Sequence, residues 1–202
     1  MKLVWVLLLG ASINAAEVEG KIEACSQGNI QSCYDAGMVF TTGENAKDQE
    51  KKDLGMQYLR KACKYGENRG CDALGDNYYK NKSYHAAKPY LETSCERGIK
   101  DACEAMGTIY RDGHETRQDD VKAREYYEKA CELGSKDSCI NVAIIYRGGF
   151  GIEKNREMEK SYYQKACDHG SKVGCERYTK MDNEDKGIAE PGILDRLKSL
   201  FN

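Results

Sequence analysis

The chain has 202 residues, enough for one domain or one short repeat array. With 40% hydrophobic and 32% charged residues it can build a core, so composition excludes a disordered chain. A net charge of −2 argues against a nucleic-acid binder that relies on phosphate contacts.

Residues 1–16 read MKLVWVLLLGASINAA. Lys2 gives a positive start, Leu3 to Leu9 are unbroken apolar residues, and Ala15 or Ala16 is the small residue before a cleavage point. This is the pattern of a secretory signal peptide. The apolar run is too short to span a bilayer as a helix, and no other stretch could cross one. The expected location is therefore secreted or periplasmic.

Beyond this leader the cysteines fall at 25, 33, 63, 71, 95, 103, 131, 139, 167 and 175. They form five pairs eight positions apart, each with the interior C-x2-G-x4-C. Ten cysteines with only two prolines indicate a helix-rich chain in an oxidising compartment. Successive pairs begin 38, 32, 36 and 36 residues apart, a period that marks a solenoid of small helical units. The array is expected over 17–180, with repeats at about 30–66, 67–98, 99–134 and 135–170 and a partial one at 171–180.

In chain order, a truncated helix near 17–26 opens the array. Each repeat then holds a first helix, A, and a second helix, B. The A helices are predicted at 30–41, 68–79, 100–111, 136–147 and 172–180, and the B helices at 51–65, 83–97, 120–133 and 156–169. Gly28, Gly66, Gly98, Gly134 and Gly170 stand where a helix end favours a left-handed residue. Seven residues after each second cysteine lies Phe40, Tyr78, Tyr110 or Tyr146, and four after it lies Gly37, Gly75, Gly107, Ala143 or Thr179. These spacings place small and aromatic residues on the cysteine's own helix face, so most of the 14 tyrosines read as core. Repeat lengths differ in the A–B loops, and the second repeat has the shortest, at Asn81-Lys82-Ser83.

The glycine turn folds each B helix back onto the next A helix, which brings cysteines eight apart within bonding range. The predicted bridges are Cys25–Cys33, Cys63–Cys71, Cys95–Cys103, Cys131–Cys139 and Cys167–Cys175. Metal ligation is the competing reading, but zinc sites favour short C-x2-4-C pairs or clustered histidines. His85, His114 and His169 are scattered, so neither a metal nor a cofactor is expected.

The five C-x2-G-x4-C units, with Tyr126–Gly134 and Tyr162–Gly170 as the most diagnostic stretches, resemble the Sel1-like repeat proteins. The resemblance is to their secreted cysteine-rich branch, the Helicobacter cysteine-rich proteins, and runs from about Ala24 to Tyr178. It implies an all-α fold: a right-handed superhelical solenoid of helix pairs, disulfide-stapled, with a concave surface lined mostly by A helices. It also implies two functions. The repeat is typically a protein-interaction scaffold, whereas members of the branch have been classed as β-lactamases or penicillin-binding proteins.

The residues themselves support no usual route to β-lactam hydrolysis. There is no Ser-x-x-Lys, Ser-Asp-Asn, Lys-Thr-Gly or Gly-x-Ser-x-Gly segment. A Walker A loop and a dinucleotide fingerprint are also missing. No catalytic residue is assigned, and enzyme activity rests on the resemblance alone. The binding reading needs less: A-helix residues outside the repeated core set should line the concave side. These are Asp35 and Met38, Asp76 and Asn77, Thr108 and Arg111, and Asn141, Ile144 and Arg147. The expected ligand is a protein, a peptide or a cell-wall glycan, held by a monomer. The alternative is a β-lactam, bound and weakly hydrolysed.

Residues 181–190 read as a polar linker that begins near Lys180. Pro191 then suits the start of a helix over 191–202, whose Ile193, Leu194, Leu197, Leu200 and Phe201 make one apolar stripe.

Overall fold

The computed structural model describes residues 15–114 and 117–188. The signal peptide expected over 1–16 lies outside these residues as far as residue 14, and so does the helix expected over 191–202. Among the described residues every regular element is helical. In chain order they are α1 (Ala15–Ser26), α2 (Ile30–Thr41), a 3-10 turn (Gly43–Lys47), α3 (Gln49–Lys64), α4 (Asn68–Lys80) and α5 (Tyr84–Glu96), followed by α6 (Lys100–Asp112), α7 (Asp120–Glu132), α8 (Lys136–Gly148), α9 (Arg156–Asp168) and α10 (Lys172–Asp185). The even-numbered helices are the A helices and the odd-numbered ones the B helices. The chain divides into two compact units, Met1–Ser94 and Cys95–Asn202.

The cysteine motif encodes a complete helix–turn–helix junction. The B helix ends just after its cysteine, and the motif glycine takes a left-handed conformation, as Gly134 does at φ 91°. A residue with a side chain would be strained there. The next residue caps the following helix: Asn29 accepts from the Ser32 amide at 3.0 Å, Ser135 from Ser138 at 3.2 Å and Ser171 from Gly174 at 3.1 Å. Ile99 does the same job without a side-chain bond. The turn leaves the paired cysteines with Cα atoms 4.4–4.8 Å apart, and all five expected bridges are formed.

Within each A–B pair the helices meet at the small residue four positions past the second cysteine. A Cβ at Gly37 would lie 2.7 Å from the Leu59 side chain, and one at Gly107 the same distance from the Tyr127 ring. The aromatic positions pair across the same contact. Phe40 stacks on Tyr58, Tyr78 on Tyr90, Tyr110 on Tyr126 and Tyr146 on Tyr162, with ring centroids 5.7–6.3 Å apart. In the first unit Met56, Leu59 and Leu74 form a buried cluster, and a smaller one surrounds the Cys25–Cys33 bridge. In the second, Tyr127, Val142, Ile145, Tyr163 and Met181 close the core.

One expectation is corrected. The polar stretch from Lys180, read as a linker, is helix as far as Asp185. Two things hold it. Met181 is buried, and Lys160 of α9 reaches Asp182 at 3.1 Å and Asp185 at 2.6 Å, so charges that looked solvated serve as ties between helices.

Candidate functional site

The A-helix residues expected to bind differ in how the fold presents them. In the first unit Asp35 is half-buried and accepts from the Gln31 amide at 2.8 Å. Asp76 is exposed and pairs with Lys80 at 2.7 Å, and the Asn77 amide is turned to its own helix carbonyl at Ala73, 2.9 Å away. These groups are engaged along single helices and are not drawn together.

The second unit gathers its candidates around tyrosines. The Thr108 hydroxyl lies 3.0 Å from the hydroxyl of Tyr127, and the Arg111 guanidinium sits over the same ring at 5.9 Å. One repeat later the exposed Arg147 donates to the Tyr163 hydroxyl at 3.5 Å. Asn141 and Ile144 stand half-buried on the same helix. Glu159 adds a half-buried carboxyl whose pKa is pushed up by burial, against the pull of Arg147, Arg156 and Arg177. The A-helix face of this unit therefore offers two arginines, each against a tyrosine, and the Glu159 carboxyl, with Arg111 also held by the Asp112 carboxylate at 2.7 Å. Sequence reasoning had counted Tyr127 and Tyr163 as core and had passed over Glu159. The pairing of an arginine eight residues past the second cysteine with a tyrosine four before the next first cysteine was the available signal.

Behind this face lies a polar knot. Glu128 accepts from Arg124 Nη1 at 3.1 Å, from the Tyr146 hydroxyl at 3.3 Å and from the Tyr162 hydroxyl at 3.2 Å. Burial first, and then the Glu128 charge, push the Tyr162 pKa well above its ordinary value. The Arg124 Nε is buried and has no partner among the described residues. The knot ties three helices, α7, α8 and α9, and its groups are largely taken up with one another.

Two clefts open between a B helix and the following A helix. One, of about 470 Å³, lies between α3 and the end of α4 and includes Lys52, Arg60, Tyr78 and Asn81. The other, of about 560 Å³, lies between α9 and α10 and includes Arg156, Lys160 and Asp185. Neither contains a residue from the expected A-helix set. Among the described residues no three or more His, Cys, Asp or Glu side chains are grouped to hold a metal ion, and no helix is long and apolar enough to cross a membrane.

A model of the Sel1 repeat matches residues 30–66, 100–135 and 136–171, more than half of the chain, which therefore belongs to the Sel1 repeat family. The unmatched residues 67–99 hold the repeat with the short Asn81–Ser83 connection. Among solved structures, the chain is 27% identical to a protective antigen of uropathogenic Escherichia coli with an SLR fold, at a TM-score of 0.66. That match covers 80% of this chain and 35% of the antigen, so the chain spans about a third of the antigen's length. A Sel1 repeat protein from Oxalobacter formigenes is 19% identical at a TM-score of 0.63, over 85% of this chain and 77% of that one. Helicobacter pylori cysteine rich protein B is 23% identical at a TM-score of 0.33, over 79% of this chain and 90% of that one. No curated protein matches the chain.

Proposed function

We propose that this protein is a stapled repeat scaffold, secreted or periplasmic, that binds a protein or peptide partner on the A-helix face of its second unit. Arg111 over Tyr127 and Arg147 against the Tyr163 hydroxyl carry this reading, because these contacts, with Asp112 beside Arg111, pre-orient guanidinium groups that would otherwise lose much side-chain freedom on binding. Arginine and tyrosine are also the residue types that dominate interface energetics. Five local bridges support rigidity and fit an oxidising compartment. A cell-wall glycan could use the same donors, since arginine and tyrosine also serve sugar hydroxyls.

The test is capture from envelope and medium fractions on the oxidised protein, run beside the double variant Arg111→Ala/Arg147→Ala. A stoichiometric partner held by the parent and lost by the variant supports the proposal. Equal capture by both removes this face from consideration. The β-lactam alternative rests on the family resemblance and is tested on the same preparation with a chromogenic cephalosporin. Turnover that follows the protein through two columns and disappears on reduction would establish it.

A further inference from the structure

Three of the B helices that stay within one unit, α3, α7 and α9, present the same face to the following A helix. Counted back three, seven and eleven positions from the B-helix cysteine, that face carries Arg60, Met56 and Lys52 on α3. On α7 it carries Glu128, Arg124 and Asp120, and on α9 Gln164, Lys160 and Arg156. Each groove thus contains cations, and what neutralises them differs.

On α7 the groove neutralises itself, because Arg124 pairs with Glu128 at 3.1 Å. On α9 the next A helix supplies the counter-charges. Lys160 reaches Asp182 and Asp185, and Arg156 reaches Glu184 at 2.8 Å and Asp185 at 3.1 Å. On α3 neither device is present. Lys52 reaches across to the Asn81 side-chain oxygen at 2.5 Å, and Arg60 to the Tyr78 hydroxyl at 2.8 Å. Both acceptors are neutral, and among the described residues neither cation meets a carboxylate. Asp53 also lines the cleft, where its carboxylate accepts from the Gln49 amide at 2.8 Å on its own helix. The cause lies in the sequence: where α10 ends in Asp182-Asn183-Glu184-Asp185, α4 ends in Tyr78-Tyr79-Lys80-Asn81.

We propose that the α3–α4 cleft is a binding site for a carboxylate ligand, either the acidic side chains of a peptide or a free dicarboxylate. Its volume of about 470 Å³ is within the range of ligand sites. Lys52 and Arg60 form its two anchors. A carboxylate replaces the neutral acceptors with bonds in which both partners are charged. The three acids of α10 show the arrangement on the equivalent groove, where carboxylates seat on B-helix cations. The site shares no residue with the A-helix face, so it stands or falls separately from the function proposed above.

The experiment is calorimetric titration of the oxidised protein with N-acetyl-hexaglutamate at low salt, with hexaglutamine and glutarate as companion probes. One hexaglutamate is expected to bind per chain, and hexaglutamine none. Lys52→Gln and Arg60→Gln should each weaken binding by about tenfold, the loss expected for one charged hydrogen bond. The charge-matched controls Lys64→Gln and Lys80→Gln should each stay within about twofold, and circular dichroism confirms that each variant is folded. Glutarate binding as tightly as hexaglutamate assigns the site to a free dicarboxylate. Hexaglutamate binding alone assigns it to an acidic segment. No binding of either probe, an equal loss in the controls, or unchanged binding in both cleft variants overturns the proposal.

Discussion

Two helix-interior glycines should respond to the same substitution with opposite signs. Glycine inside a helix costs about 1 kcal/mol relative to alanine, so propensity alone favours the exchange at Gly20 in α1 and at Gly55 in α3. At Gly20 an added Cβ meets nothing within 4 Å. At Gly55 it would lie 2.7 Å from Phe40 Cβ, 2.7 Å from Thr41 Cγ2 and 2.9 Å from the Gly37 carbonyl oxygen. None of these atoms is the free end of a flexible side chain, so α2 and α3 must separate. Overpacking costs about 1–3 kcal/mol, and three contacts below 3.0 Å, one of them backbone, put this site at about 2–3, so after a propensity gain of about 1 kcal/mol Gly55→Ala should lose about 1–2 kcal/mol. In a unit of this size that lowers the melting temperature by about 5 °C or more, read by circular dichroism at 222 nm on the oxidised protein. Gly20→Ala should melt at or slightly above the parent temperature. A Gly55→Ala protein as stable as the parent would show that the α2–α3 contact is not set by this glycine.

Three further outcomes follow from the bridges and the titrating groups. Replacing both Cys131 and Cys139 by alanine opens one short loop and should cost about 2.5 kcal/mol in urea denaturation; no shift in midpoint would deny the bridge a stabilising role. Burial raises the pKa values of Tyr58, Tyr162 and Tyr163, with Glu128 adding to the effect at Tyr162. The folded state therefore binds these protons more tightly than the unfolded one, and the associated stability is present below about pH 10 and lost above it. Absorbance titration should show a group of tyrosines that ionises only with alkaline unfolding; one smooth transition for all of them would contradict this. Asp182 is held below its ordinary range by Lys186 and then Lys160, and Asp185 by Lys160 and then Arg156. Their contribution is present above the usual carboxylate range and disappears as pH falls through the lowered values, so hydrogen-exchange protection, corrected for the intrinsic rate, should fall in α10 before it falls in α8 on acidification.

Much of this fold is legible because its determinants are local. The C-x2-G-x4-C motif contains a helix end, a left-handed glycine, a cap and the start of the next helix, and it fixes the disulfide pairing without help from distant residues. The helices therefore begin and end within a few residues of where their periodicity puts them, as α6 (Lys100–Asp112) does against an expectation of 100–111. The packing glycines Gly37, Gly75 and Gly107 recur at one offset and are readable for the same reason. Gly55 does not recur, and its place against the Gly37 carbonyl appears only when α2 and α3 cross.

Charge was the part that sequence could not place. Asp182 and Asp185 look like a solvated linker until α9 supplies Lys160, and Lys52 and Arg60 look like an ordinary polar helix face until their hydrogen-bond acceptors prove to be neutral. Tyr127 and Tyr163 were correctly placed in the core, yet their hydroxyls reach the A-helix face. Local backbone chemistry determined the repeat, its turns and its bridges, because a turn and a short loop are closed by residues already adjacent in the chain. Which cations of α9 are neutralised was decided by packing, because the pairs of Arg156 with Glu184 and of Lys160 with Asp182 join residues more than 20 positions apart and depend on where two helices come to rest.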